Sequence, residues 1–465
     1  MRWGRLGDRL HRAALLLAVL TAVVGGLGIA ALTWWLLWLG LGAKAETPNQ
    51  LDLTKIALSV TAGVGGAVAL VVAYRRQRDQ ERGRFAELFG AAARQLGDAD
   101  PAVRLAGVYA MAGVADEFSA PSRRQQCVDV LCGYLRLPFD PDSGANHLVS
   151  RSETVDESGR KVERTYQFRQ NDREVRWAVA RVIAEHLRGF SDVSWSRCDF
   201  DFTGAVFDNV DFEAAEFGGR WTTFAKARFL GDRHTDFNRV RFTGVHVTFR
   251  DATFEAPATI FDRAEFRTPR TTFDGVTFGS PETSFSDTRF VGDRVTFIGA
   301  RFTGARTSFR DTAFRAELTS FERATLDGER VCFGQVGFTG RRIAFTGAQF
   351  YATQVDFDEA QLGTAGRLRH RGTREVDFAR SEFHGAVSFA RSTLAGRTAT
   401  FTEADFFGDI SFLATRFTAD ETHFDNPKAW VGVRFDWDDN PTRKPTSVKP
   451  NPWPPAPESA PAPAA

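Results

Sequence analysis

Cysteine, methionine and tyrosine are scarce in this chain of 465 residues, which has 4 Cys, 2 Met and 5 Tyr. The spacing of Cys127, Cys132, Cys198 and Cys332 gives no CxxC pair, which argues against a zinc site. A phosphate-binding loop, a GxSxG nucleophile elbow and a dinucleotide fingerprint are also missing from the sequence. We therefore expect a protein that is not an enzyme and that uses no metal and no cofactor.

Phenylalanine, by contrast, is abundant and regularly spaced. The chain has 43 Phe residues, and from Phe237 to Phe357 they follow one another at alternating steps of five and seven, with Leu326 replacing one ring. A fixed internal period is typical of a solenoid, in which each repeat buries its apolar side only against its neighbours. The predicted internal stack includes Phe242, Phe254, Phe266, Phe278, Phe290, Phe302 and Phe314.

A small residue stands two positions before most of these rings, as Ala264 does before Phe266 and Ala300 before Phe302. In an extended backbone alternate side chains share a face, so the small residue and the ring point inward while the residue between them faces water. The five-residue step matches no helical period. The pattern therefore predicts very short strands joined by tight corners and wound into a coil.

The units AEFRT, ARFTG, ADFFG and AVFDN resemble those of the pentapeptide-repeat family. The resemblance implies an all-β, right-handed quadrilateral β-helix over residues 191–435, with four short faces per coil and Phe or Leu stacked along the axis. The seven-residue steps depart from the family's pattern and predict two added residues at every other corner, hence coils of about 24 residues. An antiparallel sandwich is the alternative, which the regular spacing disfavours.

The spacing is interrupted between Leu362 and Phe378 by a segment rich in glycine and arginine. Two interpretations stay open: a basic loop that grips an anion or an acidic partner, or a solvated excursion between two turns. The candidate interaction loop consists of Arg367, Arg369, His370, Arg371 and Arg374.

Two apolar runs without charge, residues 13–41 and 56–74, are each long enough to cross a bilayer. The two runs and the polar connection 42–55 between them predict a transmembrane hairpin in the cell (inner or plasma) membrane. The lipid bilayer is therefore an expected partner of the protein. Residues 1–12 are basic, and Arg75, Arg76 and Arg78 follow the second run. The positive-inside bias therefore places both termini in the cytoplasm and 42–55 outside. Cleavage after Ala45 by a signal peptidase is the alternative.

Residues 75–190 are predicted to form a cytoplasmic helical adaptor. Within them LGDADPAVRLAGVYAMAGVAD resembles a HEAT-type helical hairpin, in which Asp100 is the N-cap and Pro101 stands in the first turn. Residues 436–465 are dense in Pro and Ala. We expect them to form a disordered tail, because such a composition buries too little apolar surface.

These features favour a membrane-anchored scaffold that presents a rigid β-helix to a protein partner whose identity the sequence does not reveal; a homo-oligomer is a further option. The alternative is a membrane effector whose hairpin oligomerises and perturbs the bilayer. The family resemblance also implies a third function, since some pentapeptide-repeat proteins imitate duplex DNA and act on topoisomerases. Imitation of DNA requires a strongly acidic rod. With 59 basic and 58 acidic residues, the chain disfavours this reading and a nucleic-acid partner.

Overall fold

The computed structural model describes residues 47–139, 150–157, 160–167, 172–364 and 372–455, and nine helical residues between Val24 and Leu39. The chain divides into two units, Met1–Leu88 and Phe89–Ala465. In the second unit, helices and a β-hairpin precede a β-solenoid of about ten turns. The coil that the phenylalanine spacing predicts is thus confirmed.

One described helix is apolar enough to span a membrane. Helix α1, Thr47–Leu96, contains this candidate span from Leu58 onward, and none of its most apolar window is buried. The sequence predicts a connection at 42–55, but the helix already begins at Thr47, because Pro48 is tolerated in a first helical turn. Of the other predicted span, 13–41, the structure describes only nine helical, exposed residues. The remainder of that span and residues 1–12 lie outside the described residues.

Three further helices and a hairpin precede the solenoid. Helices α2, α3 and α4 span Pro101–Glu117, Pro121–Arg136 and Asp172–Leu187, and strands β1 and β2, Ser150–Glu157 and Arg160–Gln167, pair antiparallel. The side chain of Asp100 accepts a hydrogen bond of 2.8 Å from the backbone of Ala102, and Pro101 occupies the first turn. The predicted cap of α2 is therefore confirmed. The apolar faces of the helices pack together through buried residues such as Met111, Leu131 and Ile183.

Four parallel ladders of short strands form the solenoid. Ladder 1 contains Phe200–Asp201, Trp221–Thr223, His246–Thr248, Arg270–Thr272, Arg342–Ala344, Glu375–Asp377, Thr398–Thr400, Glu421–His423 and Val448–Lys449. Ladder 2 contains Val206–Asp208, Arg228–Leu230, Thr253–Phe254, Thr277–Phe278, Arg301–Phe302, Thr325–Leu326, Gln349–Phe350, Glu382–Phe383 and Asp405–Phe406.

The other two ladders follow within each turn. Ladder 3 contains Thr235–Asp236, Ala258–Ile260, Glu282–Ser284, Arg306–Ser308, Arg330–Cys332, Gln354–Asp356, Ala386–Ser388, Ile410–Ser411 and Val433–Arg434. Ladder 4 contains Glu216–Phe217, Arg241–Phe242, Glu265–Arg267, Gly337–Phe338, Gln361–Leu362, Thr393–Leu394 and Arg416–Phe417. The longer strands Arg289–Thr296 and Ala313–Ser320 belong to both ladder 4 and ladder 1.

The rings form columns along the axis. Phe273 stacks on Phe249 and on Phe297, one turn away on either side, with centroids 4.8 and 4.7 Å apart and planes within 3°. Rings of the same turn meet edge to face, as Phe249 and Phe261 do at 87°. Both arrangements suit the aromatic quadrupole. The seven predicted stack residues are all 0–1% exposed: Phe242, Phe254, Phe266, Phe278, Phe290, Phe302 and Phe314.

The short extended strands explain both which side chains face the core and why the steps between rings alternate between five and seven residues. Ala300 and Phe302 are fully buried while Arg301 between them is exposed, as the small-x-Phe pattern predicts. Five-residue steps end in ladders 2 and 4, most of whose strands have two residues, as from Phe249 to Phe254. The seven-residue steps lead through three-residue strands such as Ala258–Ile260, together with the added corner residues before them. Each full turn therefore takes about 24 residues.

The predicted tail is wrong for residues 436–455, which pack on the last turns of the solenoid. Val448–Lys449 extends ladder 1 by pairing with Glu421–His423. Trp437 is 4% exposed, and the ring of Trp453 meets Phe435 edge-on at 5.0 Å. The prediction of disorder relied on the Pro and Ala content of residues 436–455. The tryptophans of this segment supply the buried apolar area that this composition did not reveal. Residues 456–465 lie outside the described residues.

We expect Phe302→Ala to lower the free energy of unfolding by about 3–5 kcal/mol, the usual range for a deleted core ring. The ring of Phe302 stacks on Phe278 at 4.7 Å and is fully buried. Arg301→Ala is the matched control, because the neighbouring side chain is exposed. Urea denaturation of the full chain measures both variants. Equal destabilisation by the two changes would contradict the facing of the strands.

We expect Trp453→Ala to loosen the last turns while it leaves the middle of the solenoid unchanged. Its indole meets the rings of Phe424 and Phe435 edge to face at the C-terminal end of the stack. Deuterium uptake should rise in residues 405–435 and stay constant in residues 249–297. An unchanged uptake at the C-terminal end would show that residues 436–455 do not act as a cap.

Candidate interaction surface

Phenylalanine rings fill the interior of the solenoid, so its chemically variable side chains lie on the outside. The stack residues touch one another and therefore serve the core. The thiols in the helical part are similarly buried. Burial raises the pKa of Cys127 to about 12 and that of Cys198 to about 11, and it also raises the pKa of Cys132. These thiols stay protonated at neutral pH and are therefore weak nucleophiles.

A partly buried ionic cluster joins helix α4 to helix α2 and to the segment that leads into the solenoid. The two ring nitrogens of His186 lie 2.7 Å from the Val182 carbonyl oxygen and 3.0 Å from a carboxylate oxygen of Asp116. The indole of Trp195 donates to the other oxygen of Asp116 at 2.8 Å and stacks on the imidazole. Burial alone would lower the pKa of His186, but the bonds to Asp116 and Val182 outweigh it and raise the pKa. Both ring nitrogens of His186 are therefore engaged inside the fold, one by the Val182 carbonyl and one by the Asp116 carboxylate. We interpret the cluster as structural.

Side-chain contacts also clamp the helices onto the first turns. Gln125 of α3 exchanges two hydrogen bonds of 2.8 Å with the backbone of Asp199, in the manner of an added strand. Arg173 of α4 donates to the buried carboxylate of Asp208, and this bond raises the pKa of the guanidinium. Helices α3 and α4 therefore cover the first turn of the solenoid. The backbone beside the first strand of ladder 1 is paired with the Gln125 side chain rather than left open.

A cleft of about 400 Å³ lies beside this joint, between α4 and the first two turns. Arg188 and Asp211 on its wall form an ion pair at 3.1 Å. Asn209 donates to Asp232 at 2.7 Å, and this bond lowers the pKa of the aspartate. Since Arg188 pairs with Asp211 and Asn209 with Asp232, we interpret the cleft as a structural joint rather than as a site that activates a substrate. Within the described residues no group of three or more His, Cys, Asp or Glu could hold a metal ion.

The candidate interaction loop emerges at the corner between ladders 4 and 1. Arg374 is exposed, and its backbone nitrogen donates to Arg341 at 2.7 Å. The hydroxyl of Thr373 donates to Gly340 and accepts from the backbone of Thr364, which closes the base of the excursion. The other predicted residues, Arg367, Arg369, His370 and Arg371, lie outside the described residues.

The excursion leaves the core continuous. Phe345 and Phe378 are 33 positions apart, yet their rings stack at 4.7 Å like those of any adjacent turns. The inserted residues therefore leave the internal stack intact, in agreement with both interpretations of the sequence. The predicted membrane-flanking residues, Arg75, Arg76 and Arg78, lie on helix α1 and are exposed.

An exposed column of rings was missed by the sequence reasoning. Tyr351, His384 and Phe407 stack on the outside of ladder 2 in three consecutive turns, with centroids 4.5 and 4.7 Å apart. Tyr351 and Phe407 are 41% and 46% exposed. Each of the three directly follows a core phenylalanine, and aromatic residues at that outward position were the signal that could have revealed the column.

Comparison of the chain with family models, with curated proteins and with solved structures finds no match. The class of protein therefore follows from the geometry alone. A parallel β-solenoid with turns of about 24 residues and an internal phenylalanine stack is consistent with a pentapeptide-repeat-like β-helix.

The His186 cluster predicts how stability depends on pH. Because the folded pKa lies above the unfolded value of about 6.5, the cluster stabilises the helices fully below that value. The contribution is lost as the pH rises through the folded pKa. We expect urea midpoints of the full chain, followed by helical circular dichroism, to fall as the pH is raised above about 6.5.

The variant Asp116→Asn removes the charge that raises the pKa of His186, and it should flatten this dependence. Glu174→Gln is the control, since Glu174 lies exposed on the same helix as His186. A pH profile that Asp116→Asn leaves unaltered would assign the dependence to another group.

Proposed function

We propose that the protein is a non-enzymatic, membrane-anchored scaffold that presents a rigid β-solenoid to a protein partner. The single observation that carries the proposal is the continuous internal stack of Phe and Leu side chains, which is covered at one end by helices α3 and α4 and at the other by Trp453. A core of this kind needs no ligand to be complete. What differs from turn to turn is the outer surface, and such surfaces are how solenoids bind other proteins.

The finer architecture belongs to the same proposal. We propose a right-handed quadrilateral β-helix of the pentapeptide-repeat type, because four ladders and small-x-Phe units match that family's pattern. We also propose a two-helix hairpin in the inner or plasma membrane, with both termini in the cytoplasm. The apolar helix from Leu58 and the arginines that follow it, Arg75, Arg76 and Arg78, support this orientation.

Membrane anchoring is tested by extraction. We expect the full chain to stay with membranes in alkaline carbonate and to be solubilised by detergent, because about 20 apolar residues insert stably in a bilayer. Deletion of residues 13–74 should release the chain into the supernatant. Carbonate release of the full chain would contradict the anchor.

The scaffold is tested on gently solubilised membranes. A protein partner should co-purify with the full chain, and charge reversal on the contacting face alone should remove it. Arg306→Glu with Arg330→Glu alters ladder 3, and Arg228→Glu with Arg301→Glu alters ladder 2; all four side chains are outward. Equal loss of the partner from both variants would indicate a folding defect instead.

A further inference from the structure

Three arginines lie in register at the corner between ladders 4 and 1, and we call them the arginine corner: Arg341, Arg374 and Arg397. Arg342 pairs with Glu375, and Glu375 pairs with Thr398, so the arginines one position earlier are aligned on three consecutive turns. Adjacent turns are separated by about 4.8 Å. The corner therefore presents three cationic side chains in a line parallel to the axis.

Many arginines elsewhere on the solenoid, although not all, pair with a nearby carboxylate. Arg289 pairs with Glu265 at 3.4 Å, and Arg380 pairs with Glu403 at 2.8 Å. Such exposed pairs contribute little to stability, but they cancel charge.

The arginine corner departs from this pattern. Arg341 has only Glu317, at 3.7 Å. Within the described residues, Arg374 and Arg397 have no carboxylate within 4.0 Å, and both are exposed. Like charges on adjacent strands repel each other, so the alignment of the three arginines opposes folding. Glu317 and Asp420 stand in the same register at the two ends of the row, and of these Glu317 pairs with Arg341. In the sequence, residues 363–374 include further basic residues and no acidic residue.

We propose that the arginine corner binds the anionic headgroups of a lipid bilayer, so that the solenoid lies with this edge on the membrane. The inference rests on the proposed membrane anchor, which keeps a bilayer within reach of the chain. Guanidinium groups bind phosphate and carboxylate oxygens in bidentate geometry. A straight row of cations on a convex corner suits a flat anionic surface.

Nucleic acid fits this corner less well. Proteins that bind single strands stack the bases on aromatic side chains. The described residues beside the arginines are Gly340, Thr364, Thr373 and Gly396, none of which has a ring. The nearly equal numbers of acidic and basic residues provide no wide positive field for a duplex.

The test uses the full chain, inserted through its own helix into nanodiscs. One set of discs contains neutral phosphatidylcholine, and the other contains roughly a third of phosphatidylserine. We expect slower deuterium uptake in residues 340–346 and 372–378 on the anionic discs alone, at low salt. The protection should disappear at about 0.5 M salt, because screening shortens the range of the attraction.

The variant Arg374→Gln with Arg397→Gln removes two of the three charges and keeps the backbone hydrogen bonds. Each cation near an anionic surface changes binding about fivefold, so the variant should bind about 25-fold more weakly and lose the protection. Arg301→Gln with Arg323→Gln is the matched control on another face, and it should keep the protection. Equal melting temperatures of the two variants would show that both remain folded.

Each outcome bears on one proposal. A chain that fails to enter either kind of disc would contradict the membrane anchor itself. Insertion with the same uptake on neutral and anionic discs would overturn the arginine corner alone. Protection in neutral discs by added duplex DNA or by an acidic peptide, without protection by anionic lipid, would overturn the lipid assignment in favour of that partner.

Discussion

The stacking of phenylalanine rings along the axis is the interaction on which the rest of the second unit depends. Most rings are covered by the ring one turn below and one turn above, with a leucine such as Leu326 in a few places, and they also meet their neighbours in the same turn edge to face. A single turn has no other apolar layer, so it is stable only between two others. The strands of successive turns therefore pair in the register that places each ring on the ring of the neighbouring turn, and this register produces the four ladders.

A stack of this kind is exposed at its ends, and the chain covers both of them. Gln125 and Arg173 bind the helices to the first turns, and the tryptophans of residues 436–455 cover the last ones. Covered ends also protect the ladders from pairing with another chain. The same logic explains why the long excursion at residues 363–374 is tolerated. It leaves at a corner, and the rings of Phe345 and Phe378 still meet.

Sequence reasoning recovered the elements that depend on local pattern. The ring spacing predicted the coil, its alternating steps and the inward facing of Ala300 and Phe302; Asp100 and Pro101 predicted the start of α2. Sequence reasoning failed where it relied on amino-acid composition instead of on a spacing pattern. The proline-rich segment was expected to be disordered, yet Trp437 and Trp453 pack on the core. The beginning of α1 at Thr47 was also missed, since the polar residues there are compatible with a helix.

The sequence by itself determined the period, and with it the fold, because a ring at every fifth or seventh position can be buried in only one kind of coil. It could not show which outward residues become neighbours, since residues about 24 positions apart meet only after winding. Arg341, Arg374 and Arg397 are separated by unequal intervals, and an inserted excursion lies between the first two. Only the ladder register placed them on one corner, because register counts turns rather than residues. The column of Tyr351, His384 and Phe407 arose in the same way.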